Sequence, residues 1–209
     1  MNSKKCFLFI DGSNLYHGLK QNKIFDYFKY DWFYSELTKK FEIQKTFFYD
    51  AIKSFSLEPE QYAAQQRFHE KLKKQIPNIV IRHRKLKYIK VDSRVEKAKN
   101  NIDFCKSCKP KLEEFLKESG LHKLSKEKGI DIMLVADMIK ASFQKKFDTA
   151  LLVTGDADFV PAVELTQLLG KEVINIHCYA GSSSELRNMC DSHIKIELDG
   201  KSNCILKYY

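Results

Sequence analysis

Two aspartates one residue apart, Asp156 and Asp158, lie in the segment TGDADFVPAV, residues 154–163. The apolar run before it, residues 148–153, is typical of a buried strand, and the run after it, up to Gly170, has helical apolar spacing. Both carboxylates therefore follow a strand at the carboxyl edge of a predicted sheet, where open α/β sheets bind ligands. They repel each other unless a cation or a proton lies between them. The ordinary alternative is that Asp158 caps a helix and Asp156 is a turn residue.

A second acidic loop follows the first apolar run of the chain. Residues 5–10 predict a buried strand that ends in Asp11, and the sequence DGSN then leads into a helix expected to begin at Leu15. Ser13 or Asn14 could cap that helix, and Asn14 could also hold a metal-bound water or a phosphate oxygen. A turn that happens to contain an aspartate is the alternative interpretation.

A third aspartate lies at the start of an apolar helix. Residues 130–144 are apolar on nearly every side, so we expect this helix to be largely buried. Asp131 lies in its first turn, where a buried carboxylate needs a cation or strong donors because the helix dipole compensates it only in part. Asp137 is about 240° further around the helix. The two cannot share a site through the helix alone, so Asp131 is the expected ligand and Asp137 a structural group.

Residues 78–91, NIVIRHRKLKYIKV, predict one strand or two, with basic, apolar and aromatic side chains interleaved. An edge strand protected by lysines and a face that follows a phosphate backbone both fit this pattern. The second is favoured because the basic run continues, and the net charge of +9 also favours an anionic partner. A lysine-rich composition alone would give the same charge. The basic residues of this tract are Arg82, His83, Arg84, Lys85, Lys87, Lys90, Arg94, Lys97 and Lys99.

Length and composition are those of one globular domain. The 209 residues are 44% hydrophobic and 30% charged, which is ordinary for a soluble protein. No apolar run is long enough for a signal peptide or a membrane span, so a cytoplasmic protein without membrane contact is expected. Residues 92–127 are polar and rich in Lys and Glu. We interpret them as an insertion with a short helix around residues 111–117.

Six irregularly spaced cysteines predict reduced thiols rather than a disulfide framework. Cys105 and Cys108 have the spacing of two zinc ligands, but structural zinc usually takes four, and His83 and His122 are poorly spaced to complete the set. Zinc at Cys105 and Cys108 is therefore the less favoured interpretation and two ordinary thiols the favoured one. Redox activity is less favoured still, because no thioredoxin-like pattern surrounds the pair.

Three further polar residues follow or lie in predicted strands. Ser183 precedes a predicted helix and could contribute to a phosphate cradle, with an ordinary N-cap as the alternative. Asp50, near the end of a strand at residues 44–51, could join an acidic cluster, although a surface turn is favoured. His177 is favoured as a packed strand residue.

The ordered set of motifs resembles the NYN domain, and more narrowly the LabA-like branch of the PIN-like nuclease superfamily. The motifs are strand–DGSN–helix, KGIDIMLVADM, LLVTGDADFVPAVELTQLLGKEV and SSSELRNMCD. The resemblance covers the first strand and helix and residues 128–198, is weak over 20–75 and is absent over 92–127. It implies an α/β fold with a Rossmann-like (PIN-like), mostly parallel sheet flanked by helices in three layers, formed as a single domain over residues 1–209.

The resemblance also implies a ribonuclease that depends on Mg²⁺ or Mn²⁺. Its motifs place the catalytic, metal-binding carboxylates at Asp11, Asp131, Asp156 and Asp158. Mg²⁺ prefers carboxylate oxygens and retains waters, and such ions activate a water and stabilise the reacting oxygens of a phosphodiester. The predicted substrate-binding residues are Asn14, Thr154, Ser183, Arg82, Arg84, Lys85 and Lys87.

The expected partner is RNA, single-stranded in preference, and a homo-oligomer is compatible with the sequence. DNA stays open as a substrate because phosphate contacts do not read the sugar. The alternative function is a non-catalytic RNA-binding or regulatory adaptor that retains the fold; the intact carboxylates argue against it. A phosphatase of the haloacid-dehalogenase type is disfavoured, because it needs an aspartate where Phe9 stands.

Overall fold

A computed structural model describes residues 4–90, 105, 107–118, 123–126, 129–200 and 202–209. Within them, strands and helices alternate along the chain. The strands are β1 (Lys5–Asp11), β2 (Glu42–Ile52), β3 (Ile79–Lys85), β4 (Lys87–Lys90), β5 (Lys123–Lys126), β6 (Thr149–Val153), β7 (Glu172–Cys178), β8 (Ser192–Leu198) and β9 (Cys204–Tyr208). The helices are α1 (Gly12–Gln21), α2 (Tyr30–Thr38), α3 (Pro59–Gln75), α4 (Cys108–Glu118), α5 (Ile130–Phe143), α6 (Val160–Leu168) and α7 (Ser184–Met189), and a 3₁₀ turn, Ala157–Phe159, precedes α6.

The main sheet has the strand order β3-β2-β1-β6-β7-β8-β9. Strand β1 is parallel to both β2 and β6, β6 to β7, and β7 to β8, while β9 is antiparallel to β8. The prediction of an α/β fold with a mostly parallel sheet is therefore confirmed. Because Ile10 pairs with Val153 across β1 and β6, the loops that follow these two strands start side by side.

Strand β1 is buried on both faces, which explains its continuous apolar sequence. Cys6, Leu8 and Ile10 belong to a core cluster with residues of α1, α2 and α3. Phe7 and Phe9 point to the other face, where they contact the rings of Phe47 and Phe147. Helix α5 contacts β1 and β2 on this second face, so helices cover both sides of the sheet. The three-layer prediction agrees with this arrangement.

The start of α1 differs from the prediction. The helix begins at Gly12 rather than Leu15, directly after the last residue of β1. Its cap is Asp11, whose Oδ1 accepts a hydrogen bond from the Asn14 N–H at 3.0 Å, so neither Ser13 nor Asn14 has the predicted capping role. The acidic residue thus ends the strand and starts the helix, and its carboxylate is held at the sheet edge.

The expectation that α5 is largely buried was wrong. Leu134 and Met138 are fully buried, but Ile132 and Phe143 are 73% and 76% exposed, and Asp131 is exposed as well. A helix that lies on one side of a sheet buries only the stripe of residues that faces it. The apolar residues on the opposite side of α5 therefore remain in solvent.

The chain divides into two compact units, Met1–Arg84 with Gly129–Tyr209, and Lys85–Lys128. The basic segment at residues 78–91 forms two strands, β3 in the main sheet and β4, which pairs antiparallel with β5 in a two-stranded sheet. The helix predicted around residues 111–117 is α4. A single domain with an insertion at residues 92–127 stays a prediction. None of the helices in the described part of the chain is long and apolar enough to cross a membrane.

Candidate active site

Asp11 and Thr154 connect the two acidic loops at the carboxyl edge of the sheet. The Thr154 hydroxyl donates to Asp11 Oδ2 at 3.3 Å and accepts from the Asp156 N–H at 3.3 Å. Asp11 is 5% exposed and Thr154 is 2% exposed. A buried hydroxyl therefore links the carboxylate after β1 to the backbone of the loop after β6. Thr154 was predicted to orient water or phosphate. In the structure, both hydrogen bonds of its hydroxyl group are to protein groups, the Asp11 carboxylate and the Asp156 N–H.

Two asparagine side chains fix the β6 loop. Asn14 Oδ1 accepts a hydrogen bond from the Gly155 N–H at 2.7 Å, so the oxygen predicted to hold a water or phosphate holds this loop. Asn175, in the middle of β7, donates through Nδ2 to the Thr154 carbonyl at 2.9 Å and to the Leu152 carbonyl at 3.2 Å. Sequence reasoning missed Asn175, although a polar residue within the apolar run VINIHC was a visible signal.

Asp156 is the cap that begins the turn into α6. Its Oδ1 accepts from the Asp158 N–H at 3.0 Å, and the 3₁₀ turn Ala157–Phe159 follows. The alternative with Asp158 as the cap is therefore wrong. Asp156 is half-buried and Asp158 is exposed, so the second carboxylate faces solvent.

Asp131 lies within the electrostatic field of this loop. Although the residue as a whole is exposed, partial desolvation raises the pKa of its carboxyl group, and the negative charges of Asp156 and Asp158 raise the pKa further. The first turn of α5 is thus close enough to the β6 loop for the charges of Asp156 and Asp158 to act on the Asp131 carboxyl group. Asp11 joins the same edge through Thr154.

Carboxylate oxygens are the donors that Mg²⁺ and Mn²⁺ prefer. The repulsion that raises the pKa of Asp131 would be relieved by a cation among Asp131, Asp156 and Asp158, so the donor set fits a divalent ion. Within the described residues, no group of three or more His, Cys, Asp or Glu side chains has the arrangement of a ready-formed metal site.

We call the carboxyl edge of the sheet, where Asp11, Asp156 and Asp158 lie, the acidic edge. Helix α1 crosses this edge from β2 to β7. At its start, a Cβ on Gly12 would lie 2.8 Å from the Tyr49 carbonyl oxygen of β2, and further on a Cβ on Gly18 would lie 3.4 Å from Cys178 Sγ at the end of β7. Asn22, which follows the helix, donates to the Ala180 carbonyl at 3.2 Å and accepts from the Ala180 N–H at 2.9 Å. The helix therefore holds the loop after β7 as well as the loop after β6.

The loops after β6 and β7 contact each other through backbone. A Cβ on Gly155 would lie 2.3 Å from the Gly181 carbonyl oxygen and 2.9 Å from Ser182 Cα. The Ser183 N–H donates to the Gly155 carbonyl at 2.8 Å, and the Arg187 guanidinium donates to the Ser182 carbonyl at 2.9 Å. Only a glycine fits at position 155 in this arrangement.

The sequence model of the NYN domain matches residues 5–197, which is most of the chain. The chain belongs to the NYN domain family. NYN domains are PIN-like nuclease domains, and PIN-like nuclease domains typically use divalent metal ions. The family resemblance is confirmed, while the narrower LabA-like branch stays a prediction.

Two known proteins are similar to this NYN domain. An uncharacterized protein of Methanocaldococcus jannaschii, MJ0482, is 39% identical over 67 residues, which are 32% of this chain and only 28% of that protein. The crystal structure of a protein of unknown function from Vibrio parahaemolyticus, VPA0982, has a TM-score of 0.61 and 19% identity, with 97% of each chain covered. At this identity the second likeness shows the fold alone.

Arg82 of the NYN domain, predicted to contact RNA, forms an ion pair with Asp137. Its Nε lies 3.0 Å from Asp137 Oδ2, and its Nη2 donates to Asp137 Oδ1 at 3.2 Å. The Tyr49 hydroxyl also donates to Asp137 at 3.2 Å. Burial, with the Asp137 charge second, raises the pKa of Tyr49. The guanidinium group of Arg82 contacts both carboxylate oxygens of Asp137. Asp137 therefore has the structural role expected of it, and Arg82 is paired inside the protein.

The other predicted RNA-binding residues of the NYN domain lie on β3, on β4 and directly before α7. Arg84 is exposed, and a Cβ on Gly129 would lie 3.3 Å from its Nη1. Lys85 and Lys87 belong to the second compact unit. The Ser183 hydroxyl caps α7 by accepting from the Leu186 N–H at 3.3 Å, which is the alternative role for that residue. Arg94, Lys97 and Lys99 lie outside the described residues.

Cys105 and Cys108 are exposed thiols, whereas the other four cysteines are buried. The Cys105 Sγ lies 3.1 Å from Ser107 Oγ. Hydrogen bonds from Ser107 and then from Cys108 lower the pKa of Cys105 to about 7. The described residues supply no third His, Cys, Asp or Glu side chain for a zinc ion at this pair.

Asp50 does not join the acidic edge, and it is not on a surface turn as expected. It is a half-buried residue of β2, whose Oδ2 accepts from Gln65 Nε2 at 2.7 Å and lies 2.8 Å from His69 Nε2. His69 is 4% exposed. Both partners are residues of α3, so the carboxylate attaches this helix to the end of β2.

His177 is buried, as the sequence favoured, and should make the NYN domain sensitive to acid. Burial lowers its pKa to about 4, with smaller effects from the charges of Arg187 and Lys195. Unfolded His177 takes up a proton near pH 6.5 that the folded protein does not bind, so stability is lost as the pH falls below that value. We expect the free energy of unfolding to decrease by about 1–2 kcal/mol between pH 6.5 and 5. Denaturant titrations across this range test it, and an equal decrease in His177→Gln would contradict it.

Proposed function

We propose that this NYN domain is a divalent-metal-dependent ribonuclease that hydrolyses RNA phosphodiester bonds at the acidic edge of the sheet. Asp11, Asp131, Asp156 and Asp158 are the residues that would hold the ion. The observation that carries the proposal is the link from the Asp11 carboxylate through the Thr154 hydroxyl to the backbone of Asp156, which joins the two acidic loops at the carboxyl edge. Clustered carboxylates at the carboxyl edge of an α/β sheet are typical of a functional site.

The ion, when bound, would neutralise charge at the phosphodiester and lower the pKa of a bound water. The chain's own residues position the acidic groups. Thr154 and the Asn14 N–H each hold one oxygen of Asp11, so the carboxylate has a fixed orientation before substrate arrives. Asp156 uses Oδ1 to hold the turn that carries Asp158. Such preorganisation reduces the cost of ordering the groups during the reaction.

The net charge of +9 supports a polyanionic substrate, and it predicts that RNA affinity decreases as salt increases. The acidic edge alone would repel phosphates. Positive charge elsewhere on the surface and the ion at the carboxylates together would offset that repulsion. RNA is proposed as the substrate because the NYN family is a branch of the PIN-like nucleases.

Incubation of the purified protein with labelled single-stranded RNA tests the proposal directly. We expect cleavage with Mg²⁺ or Mn²⁺ and no cleavage with chelator, because the carboxylates need the ion to act on the phosphodiester. An Asp11→Asn variant prepared in parallel detects contaminating nuclease. Binding of RNA without cleavage under every condition would support the adaptor instead, and equal cleavage with chelator would contradict metal dependence.

A further inference from the structure

Tyr179 directly follows β7 at the acidic edge, and 75% of this residue is exposed. The ammonium group of Lys195 lies over its ring, 5.0 Å from the ring centroid. Lys195 is itself held by an ion pair with Glu197 at 2.6 Å. An aromatic ring is therefore presented to solvent with a positive charge on one side of it.

The loop that carries Tyr179 is fixed to its surroundings. The next residue, Ala180, makes two backbone hydrogen bonds to the side chain of Asn22. Further along the loop, Gly181 contacts Gly155, the residue that precedes the carboxylate of Asp156. Tyr179 is thus an exposed aromatic residue on a loop that contacts the proposed catalytic loop.

A fixed, exposed ring beside an ammonium group matches the chemistry of single-stranded nucleic acid. Every unpaired base has a flat face that can stack on an aromatic ring, and a cation next to the ring attracts the adjacent phosphate. Bases in a duplex are already stacked on their neighbours and are unavailable for this contact. Lys195 lies over one face of the ring, so a base would stack on the other face.

The same combination of side chains occurs on α1, the helix that crosses the acidic edge, and in the segment just after it. The ammonium group of Lys20 lies 4.7 Å from the ring centroid of Tyr16 and 5.5 Å from that of Phe25. Both aromatic residues are partly exposed, at 38% and 42%. Exposed rings paired with a lysine are therefore also found at the helix that begins directly after Asp11.

We propose that Tyr179 positions the substrate by stacking on an unpaired base of single-stranded RNA next to the scissile phosphodiester. The choice of RNA rests on the proposed function. Stacking by Tyr179 places the strand across the β6 and β7 loops, and it selects single-stranded over double-stranded RNA. The residue contacts a base and takes no part in proton transfer or metal binding.

Binding of labelled oligouridine in the presence of chelator tests the proposal without cleavage. We expect Tyr179→Ala to weaken binding by about fivefold to a hundredfold, the range of one base-stacking contact, and Tyr179→Phe to bind within about twofold of the unchanged protein. The dependence of affinity on salt should keep its slope, because stacking releases no counterions. Tyr209→Ala is the matched control. Tyr209 is 60% exposed and pairs with His193 near the amino end of β8.

Unchanged affinity of Tyr179→Ala would overturn the proposal, and so would an equal loss for duplex RNA or a loss in Tyr179→Phe as large as in the alanine variant. No binding of oligouridine by the unchanged protein would also overturn it. Affinity is measured without a divalent ion, so it does not depend on cleavage. Absence of cleavage in the metal-containing assay would reject the proposed function, and the affinities would still test the stacking of Tyr179. Metal-dependent cleavage together with full affinity of Tyr179→Ala would reject only the role of Tyr179.

Discussion

Replacing Asp156 with Asn is expected to reduce metal-dependent RNA cleavage by more than about 100-fold while leaving the fold intact. The asparagine keeps the side-chain oxygen that accepts from the Asp158 N–H, so the turn into α6 can still form. It removes one of the two negative charges that raise the pKa of Asp131. The pKa of Asp131 should therefore fall toward its ordinary value. Cleavage rates and carbon-detected NMR titration of the carboxyl group measure the two effects.

Asp148→Asn is the matched control for Asp156→Asn. Asp148 lies just before the amino end of β6, at the opposite edge of the sheet, where its Oδ2 accepts from the Lys5 N–H at 3.0 Å. We expect this variant to cleave RNA at the rate of the unchanged protein. Normal turnover by Asp156→Asn would exclude the proposed site. An unchanged pKa of Asp131 in that variant would show that the two carboxylates do not interact.

Replacing Gly155 with Ala should disrupt both loops of the acidic edge. The new Cβ would lie 2.3 Å from the Gly181 carbonyl oxygen and 2.9 Å from Ser182 Cα, and backbone atoms cannot move aside as a flexible side chain can. We expect a loss of about 1–3 kcal/mol in the free energy of unfolding, the usual cost of inserting a methyl group into a packed site. Cleavage should fall by about 100-fold, because the loop that carries Asp156 is displaced. Denaturant unfolding and cleavage assays measure these losses.

Gly200→Ala controls for the general effect of a glycine-to-alanine change. A Cβ at Gly200 meets no atom within 4 Å, so stability and cleavage should stay near those of the unchanged protein. If Gly155→Ala were as stable and active as Gly200→Ala, the β6 and β7 loops would have room for the new methyl group despite the 2.3 Å between this Cβ and the Gly181 carbonyl oxygen. The interpretation of Gly155 as a packing requirement would then be wrong.

The strands of the acidic edge were predictable because they are buried on both faces. Strands β1 and β6 are continuous apolar runs, and each is followed at once by a polar loop that contains an aspartate. The family resemblance placed Asp11 and Asp156 in one acidic cluster, and the parallel strands β1 and β6 end at the same edge of the sheet. Thr154 connects their loops. Local sequence therefore predicted the strands and the acidic loops that follow them, while the mostly parallel sheet was predicted from the family resemblance.

Pairings between distant side chains could not be predicted in this way. Arg82 and Asp137 are 55 residues apart, and the basic neighbours of Arg82 suggested a phosphate contact instead of an internal ion pair. Asp50 likewise finds its partner His69 across two elements. Periodicity shows which residue types share a face of one element, but it does not show which element lies opposite.

The exposure of Asp131 could not be predicted for the same reason. The helix that carries it is apolar around most of its circumference, and composition alone does not show that only one side meets the sheet. Its proposed role in the acidic cluster rests on the nearby charges of Asp156 and Asp158 and not on full burial. Because the Asp131 carboxyl group is only partly desolvated, the energetic cost of burying a charge applies to it only in part.

The length of helix α1 is constrained by the distance between Asp11 and the loop after β7. Neighbouring strands are about 4.8 Å apart, so β7 lies about 10 Å from β1, and the six residues from Gly12 to Gly18 rise about 9 Å. Because the rise of the helix is close to the distance between the strands, one helix can start at Asp11 and place Asn22 next to Ala180. One inserted residue within α1 would rotate Asn22 by about 100° around the helix and advance it by about 1.5 Å. Homologous chains that keep both loops should therefore tolerate substitutions on the outer face of α1 more readily than insertions or deletions within it.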